Sequence, residues 1–247
     1  TALIVWVFVR EPKRGGLDVA QASEADGAKP ASAGLWATCR MFFSRPALLR
    51  ISLACGATQF VTYAILNFTT LFLMREKGMT LEQVAVYYAL LIGFGTIAGM
   101  YASGRLIDKF SRRSKLAYAW IPGVGLALAI PFFIGFVWAP SWQLALLLLT
   151  PTMFLNYFYL SASVALVQGE VRPNQRVLAG ALLLLVMNFI GLGLGPTYVG
   201  AASDWFLARG YANSLQMAMY TLTPAFLVAI LIFLSLARRL RREGATV

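Results

Sequence analysis

Apolar positions gather into six long runs, at about 48 to 74, 82 to 106, 115 to 137, 142 to 168, 176 to 201 and 214 to 236. Each is near the ~20 residues that a helix needs to cross a bilayer core of ~30 Å. Lipid offers the backbone no partners, so each run must satisfy its own N–H and C=O groups as a helix. The pattern therefore predicts an all-α polytopic membrane protein with a six-helix domain over residues 48–237. Polar residues keep helical spacing inside two of the runs. Gln59, Thr62, Tyr63, Asn67 and Thr70 share one face of the first, and Thr152, Asn156, Tyr159 and Ser163 share one face of the fourth. Asn188 stands alone in the fifth. Such stripes either line a common cavity or bond one helix to another, which membrane bundles do at about 0.6 kcal/mol per contact. Gly95, Gly99 and Ser103 recur every four residues, as do Gly191 and Gly195, so close helix packing is expected there. Pro196 lacks a backbone donor and marks a bending point in the outer third of its helix.

Upstream the pattern changes. Residues 1–9 are apolar and read as the end of a preceding transmembrane helix, with neither the basic flank nor the cleavage site of a signal peptide. Residues 10–47 read as a cytoplasmic linker without periodicity, except that Leu35, Trp36, Cys39, Phe42 and Phe43 form a stripe opposite Thr38, Arg40, Ser44 and Arg45. That stripe predicts an amphipathic helix at about 35–45, ended by Pro46. It either lies in the membrane interface or packs on the ends of the bundle. A basic tail, 238–247, closes the chain.

Composition agrees with a membrane protein: 59% of the 247 residues are hydrophobic and 13% charged, and mean hydropathy is +0.70. An ordinary soluble domain carries about a quarter charged residues. The net charge of +11 sits in short clusters at helix ends rather than on a nucleic-acid-binding face, so no nucleic-acid partner is expected. The loops alternate in charge. The linker, residues 105–115, Glu170 to Arg176 and the tail with Arg238, Arg239, Arg241 and Arg242 are basic, whereas Arg75, Lys77 and Arg209 are cancelled by Glu76, Glu82 and Asp204. By the positive-inside rule both ends of the chain are cytoplasmic, and the expected location is a bacterial inner membrane. Trp138, Trp142, Trp205 and Tyr211 then fall at the outer interface. There is no histidine, and Cys39 and Cys55 form no metal-binding pattern, so neither metal nor cofactor is expected. No acid or base lies in the middle of a span, and no serine or tyrosine there has the partner a catalytic site needs. An intramembrane enzyme is thereby excluded.

Between the second and third runs stands Gly104-Arg105-Leu106-Ile107-Asp108-Lys109-Phe110-Ser111-Arg112-Arg113. Asp108, at a helix end, can face the start of the fifth span near Gln175 and Arg176, where free N–H groups and the helix dipole favour an anion. Gly104, Asp108, Lys109, Arg112 and Arg113 resemble the loop signature of the major facilitator superfamily of secondary transporters, with Ser111 where that signature usually has glycine. The resemblance covers essentially the whole chain. It implies a C-terminal half: the end of the sixth helix, then the seventh to twelfth, in a 3+3 inverted repeat. Residues Arg10 to Gly15, Pro173 with Arg176, Gly191 to Pro196 and Ser203-Asp204 further resemble the spinster-like branch.

The resemblance implies alternating access with a missing N-terminal six-helix half. It implies a cytoplasmic gate at Gly104, Asp108, Lys109, Arg112, Arg113 and Arg176, in which Asp108 holds the fifth helix in one state and releases it in the other. It places a substrate cavity at Gln59, Thr62, Tyr63, Asn67, Thr152, Asn156, Tyr159, Ser163 and Asn188. The expected cargo is a small amphiphile, of lysolipid or sphingoid type or else an organic anion or drug, moved by proton coupling through a carrier in the missing half. A membrane scaffold or receptor is the different-class alternative, though it gives no reason for two polar stripes.

Overall fold

The computed structural model describes residues 34–244. The expected helix remnant at 1–9, the linker up to residue 33 and the last three residues of the tail lie outside them. Among the described residues six helical spans are long and apolar enough to cross a membrane: Pro46–Lys77, Leu81–Ser111, Ala117–Trp138, Trp142–Glu170, Pro173–Ala208 and Ser214–Arg242. They are numbered here first to sixth.

The helices outrun the apolar runs because their polar ends are also helical. The first span carries Arg75 and Lys77 in its last turn and stops at Gly78, whose φ of 70° is left-handed. Arg238, Arg239, Arg241 and Arg242, expected in a tail, continue the final helix, Thr223–Gly244. The signature residues Gly104 to Phe110 likewise form the last turns of the second span rather than a loop. Ser111 ends that helix, and no non-glycine residue among those described has a positive φ, so serine there carries no strain.

Three irregularities interrupt the spans, one of them a turn at Thr221 and Leu222 that divides the sixth into Ser214–Tyr220 and Thr223–Gly244. The second opens with a Thr80/Gln83 capping box and then a π-turn over Val84–Tyr88. The π-turn sets Tyr88 inward, its hydroxyl donating to the Leu66 carbonyl at 3.3 Å. Tyr87 turns outward to stack on Trp142. The fourth span was expected to be continuous. It breaks instead between Asn156 and Phe158, with Tyr157 outside either helix. Pro151 withholds one backbone donor just before the break.

Packing decides which face is free. The first span packs against the fifth, the sixth and the fourth; the third packs against the fourth and sixth; the second packs mainly against the fourth. The second, fourth, first and fifth spans therefore make one side of the bundle, with the third and sixth behind. Phe72, Phe133, Phe136 and Phe226 bind the back, with ring centroids 5.2 to 6.3 Å apart. At the end away from the basic loops, Lys77 donates to the Ala139 and Val137 carbonyls at 2.7 and 3.3 Å. One cation thus serves two carbonyls at the end of the third span.

The short helix Leu35–Ser44 packs against the first and fifth spans. Its inward residues are Thr38 and Phe42, whereas Leu35, Trp36 and Phe43 are exposed. Thr38 thus belongs to the buried side, contrary to the stripe expected from sequence. Phe42 and, in part, Cys39 of the apolar stripe reach the bundle, and the other three are left for lipid. At the same end Arg45 donates to the Glu170 carbonyl, and Lys115 pairs with the Glu170 carboxylate at 2.9 Å. Glu170 was read as a loop residue; it ties the starts of the first and third spans to the end of the fourth.

Candidate functional site: a polar seam and an open polar patch

The two stripes face each other. Antiparallel and in register, Thr62 meets Asn156, Gln59 meets Tyr159 and Cys55 meets Ser163. Asn156 Nδ2 donates to Thr62 Oγ1 at 2.7 Å, and the Thr62 hydroxyl passes its own proton one turn back to the Thr58 carbonyl at 2.8 Å. The Tyr159 hydroxyl donates to Gln59 Oε1. Ser163 donates to the Tyr159 carbonyl, so the Cys55 thiol is the donor across the 2.6 Å contact with Ser163. Thr152 is also buried and bonds back to the Leu148 carbonyl. In this conformation Gln59, Thr62, Thr152, Asn156, Tyr159 and Ser163 are a helix–helix seam, not the wall of an open space.

The remaining predicted residues reach the free side. Tyr63 is half-buried and donates to Asn188 Oδ1 at 3.2 Å, joining the first and fifth spans. Asn188 is anchored in turn by its Nδ2 on the Leu184 carbonyl, and Asn67, exposed one turn from Tyr63, bonds back to the Tyr63 carbonyl. Sequence reasoning missed Tyr157, which falls off the helical period because it occupies the break. It lies close to Tyr63 and to Thr96 of the second span. Tyr63, Thr96, Tyr157 and Asn188 all lie within three residues of the midpoints of their spans. Asn156 Oδ1, buried beside the break, has no partner among the described residues. A buried, unmatched acceptor costs about 1 to 3 kcal/mol.

The glycines sit at the tightest crossings. Gly99 lies against the Phe154 backbone and Gly195 against the Phe60 backbone, while Gly95 and Gly191 face Met153 and Gln59. Pro196 lies inside the unbroken helix Arg176–Ala208. One turn from Gly99, Ser103 donates to the Phe158 carbonyl at 2.7 Å, at the break itself. Ser103→Ala is expected to cost about 0.6 kcal/mol, read as a small drop in the unfolding midpoint of the purified protein. An unchanged midpoint would show that the hydroxyl does not support the break.

At the basic end Gly104, Asp108, Lys109, Arg112 and Arg113 ride on the second span and the turn after it, exposed apart from half-buried Gly104. The Asp108 carboxylate makes no hydrogen bond or ion pair among the described residues, so it does not meet Gln175 or Arg176 in this conformation. It borders a shallow depression with Arg105, Lys109 and Arg112. Among the described residues no cluster of His, Cys, Asp or Glu is suited to a metal.

The family model of the Major Facilitator Superfamily matches residues 1–196. The chain belongs to the major facilitator superfamily. Within it, the chain is 28% identical over 200 residues to an MFS-type efflux pump of Mycolicibacterium smegmatis, covering 81% of this chain and 46% of that protein. It is also similar to the crystal structure of a bacterial homolog of the human lysosomal transporter Spinster, inward-facing and unoccupied. There the TM-score is 0.80 and identity 27%, over 98% of this chain and 57% of the other. The occupied, inward-facing form of that homolog gives a TM-score of 0.73 at 26% identity, over 97% and 55%. The fold is a six-helix half of the superfamily, spinster-like in its resemblance, and the chain spans about half the length of these relatives. The superfamily consists of carriers rather than enzymes.

Proposed function

We propose that this chain forms half of a secondary transporter that moves a small amphiphilic solute by alternating access against a second six-helix half. The observation that carries this reading is the polar patch of Tyr63, Asn67, Tyr157 and Asn188, centred at mid-span on the free side and placed at a broken helix. Transporters use such breaks to present polar groups at the bilayer midplane. The unmatched Asn156 oxygen, closed off in the seam in this conformation, becomes an acceptor for a solute where the break opens in the alternate state, and the lack of charge at mid-span suits a solute with a large apolar part. The spinster-like resemblance implies a lysolipid or sphingoid-type cargo, with organic anions or drugs as the second reading, to which a relative named as an efflux pump lends support. Proton coupling, if the carrier uses it, needs an acid outside the described residues, since no span here holds one at its centre. The basic end is the cytoplasmic one in this reading.

Uptake of a labelled lysophospholipid by proteoliposomes holding the complete protein tests the proposal, with and without a pH gradient. Tyr63→Phe removes one hydroxyl and keeps the shape. It is expected to lower uptake about fivefold, equivalent to one hydrogen bond of ~1 kcal/mol. Asn156→Ala is expected to lower it further. Gradient-dependent uptake of organic anions alone would shift the cargo to the second reading. Flux of every amphiphile left unchanged by both substitutions would remove the patch from the pathway.

A further inference from the structure

We infer that the outer surface between the second and third spans is a binding site for an anionic phospholipid of the surrounding bilayer. A depression of about 230 Å³ is floored by Leu106, Ile121 and Phe158 and walled by Trp120, Val124 and Leu128. No polar side chain lines it. A second depression of about 260 Å³ shares Trp120 and Ile121 with the first and opens at the basic end, bordered by Phe110, Arg113 and Ser114. Together they form one groove, apolar in its depth and cationic at its mouth.

Gly125 lies at its base, against the Leu155 carbonyl and the Phe158 side chain, so the third span closes on the fourth here while the second stands apart. From Ala117 to Leu128 the third span rises about 16 Å at ~1.5 Å per residue. Half of a ~30 Å hydrocarbon core is the depth of one leaflet. The groove therefore runs the length of one acyl chain from the interface inward. Trp120, half exposed, stands near the interface end, where aromatic residues favour the headgroup region.

Charge selects the headgroup. Arg113 is exposed and its side chain makes no hydrogen bond or ion pair among the described residues, so its guanidinium is free to grip a phosphate with two parallel bonds. Lys109 and Arg112 stand one turn or less away, and Asp108 is the single opposing charge in the neighbouring depression. The surplus is positive. A zwitterionic headgroup presents its own cation to this cluster, whereas an anionic one does not. Basic pockets between transmembrane helices recognise anionic headgroups in this way. The site lies on the side of the second span away from the polar patch, and its occupant is a structural or modulating lipid rather than the transported solute.

The test uses the complete protein, delipidated and re-exposed to phosphatidylglycerol or phosphatidylcholine with identical acyl chains. Retained lipid is counted by native mass spectrometry. Phosphatidylglycerol is expected to be retained about fivefold over phosphatidylcholine, the effect of one basic side chain at a membrane surface. Arg113→Gln is expected to erase that preference. Val124→Trp, which fills the groove from its exposed wall, is expected to lower retention of both lipids, and Arg209→Gln, a cation at the other end, to change neither. Equal retention of the two lipids by the unaltered protein overturns the inference. So does a preference that survives Arg113→Gln, one that falls equally in Arg209→Gln, or retention that Val124→Trp leaves intact.

Discussion

Gly99→Val is expected to destabilise the protein by about 3 kcal/mol, the upper end of the cost of overpacking a close-packed interior. A Cβ at position 99 would overlap the Phe154 carbonyl oxygen, and that oxygen belongs to the backbone one turn before the break in the fourth span. A flexible side chain can swing aside, whereas a carbonyl in a helix cannot move without its whole turn. The second span would have to retreat along its length, which also stretches the 2.7 Å bond from Ser103 to the Phe158 carbonyl. Gly93→Val is the matched control, because a Cβ there meets nothing within 4 Å. Denaturant unfolding of both variants in detergent measures the difference. Equal midpoints would mean that the second and fourth spans are not in close backbone contact.

Asp108→Asn is expected to lower transport about tenfold while leaving expression and the unfolding midpoint unchanged. The structure leaves Asp108 exposed and unbonded among the described residues, so its removal costs nothing in this conformation. Its value, as the family resemblance implies, lies in the alternate state, where the carboxylate meets the start of the fifth span. A carboxylate at a helix N-terminus contributes up to ~2 kcal/mol in partly buried geometries. Losing it from one state only shifts the equilibrium toward the other by up to about thirtyfold, and a carrier that must visit both slows accordingly. A cysteine pair spanning the second and fifth spans at the basic end reports the shift as slower crosslinking. Unchanged flux at equal expression would reduce Asp108 to a topology signal.

Six membrane helices were legible because apolar run length is a one-dimensional signal. Which face each helix presents was not. The stripes of the first and fourth spans were visible at Gln59, Thr62, Asn156, Tyr159 and Ser163, yet a period states only that residues share a face. It cannot state whether that face meets water, a solute or another helix, and here it meets another helix. Tyr63 and Asn188 were legible as single polar residues, while their 3.2 Å bond depends on how the first and fifth spans are rotated. Tyr157 was invisible to the period because the break that turns it toward Tyr63 also removes it from the helix. Pro151 gave a hint, but the chain breaks one and a half turns later, where Ser103 takes up the Phe158 carbonyl. The tie through Glu170 is legible only in three dimensions, since Arg45 and Lys115 lie far from it in sequence.

The three seam bonds between the first and fourth spans have a mechanical consequence. Their spacing fixes the relative height of the two helices: sliding by one turn, about 5.4 Å, would break every rung at once and strand each buried polar group opposite hydrocarbon. The pair is thereby expected to travel as one stiff strut. Deformation is left to the parts that lack such rungs: the π-turn of the second span, the proline of the fifth, and the turn at Thr221 and Leu222 in the sixth. In such a machine the polar centre is the chassis, and the apolar flanks are the moving parts.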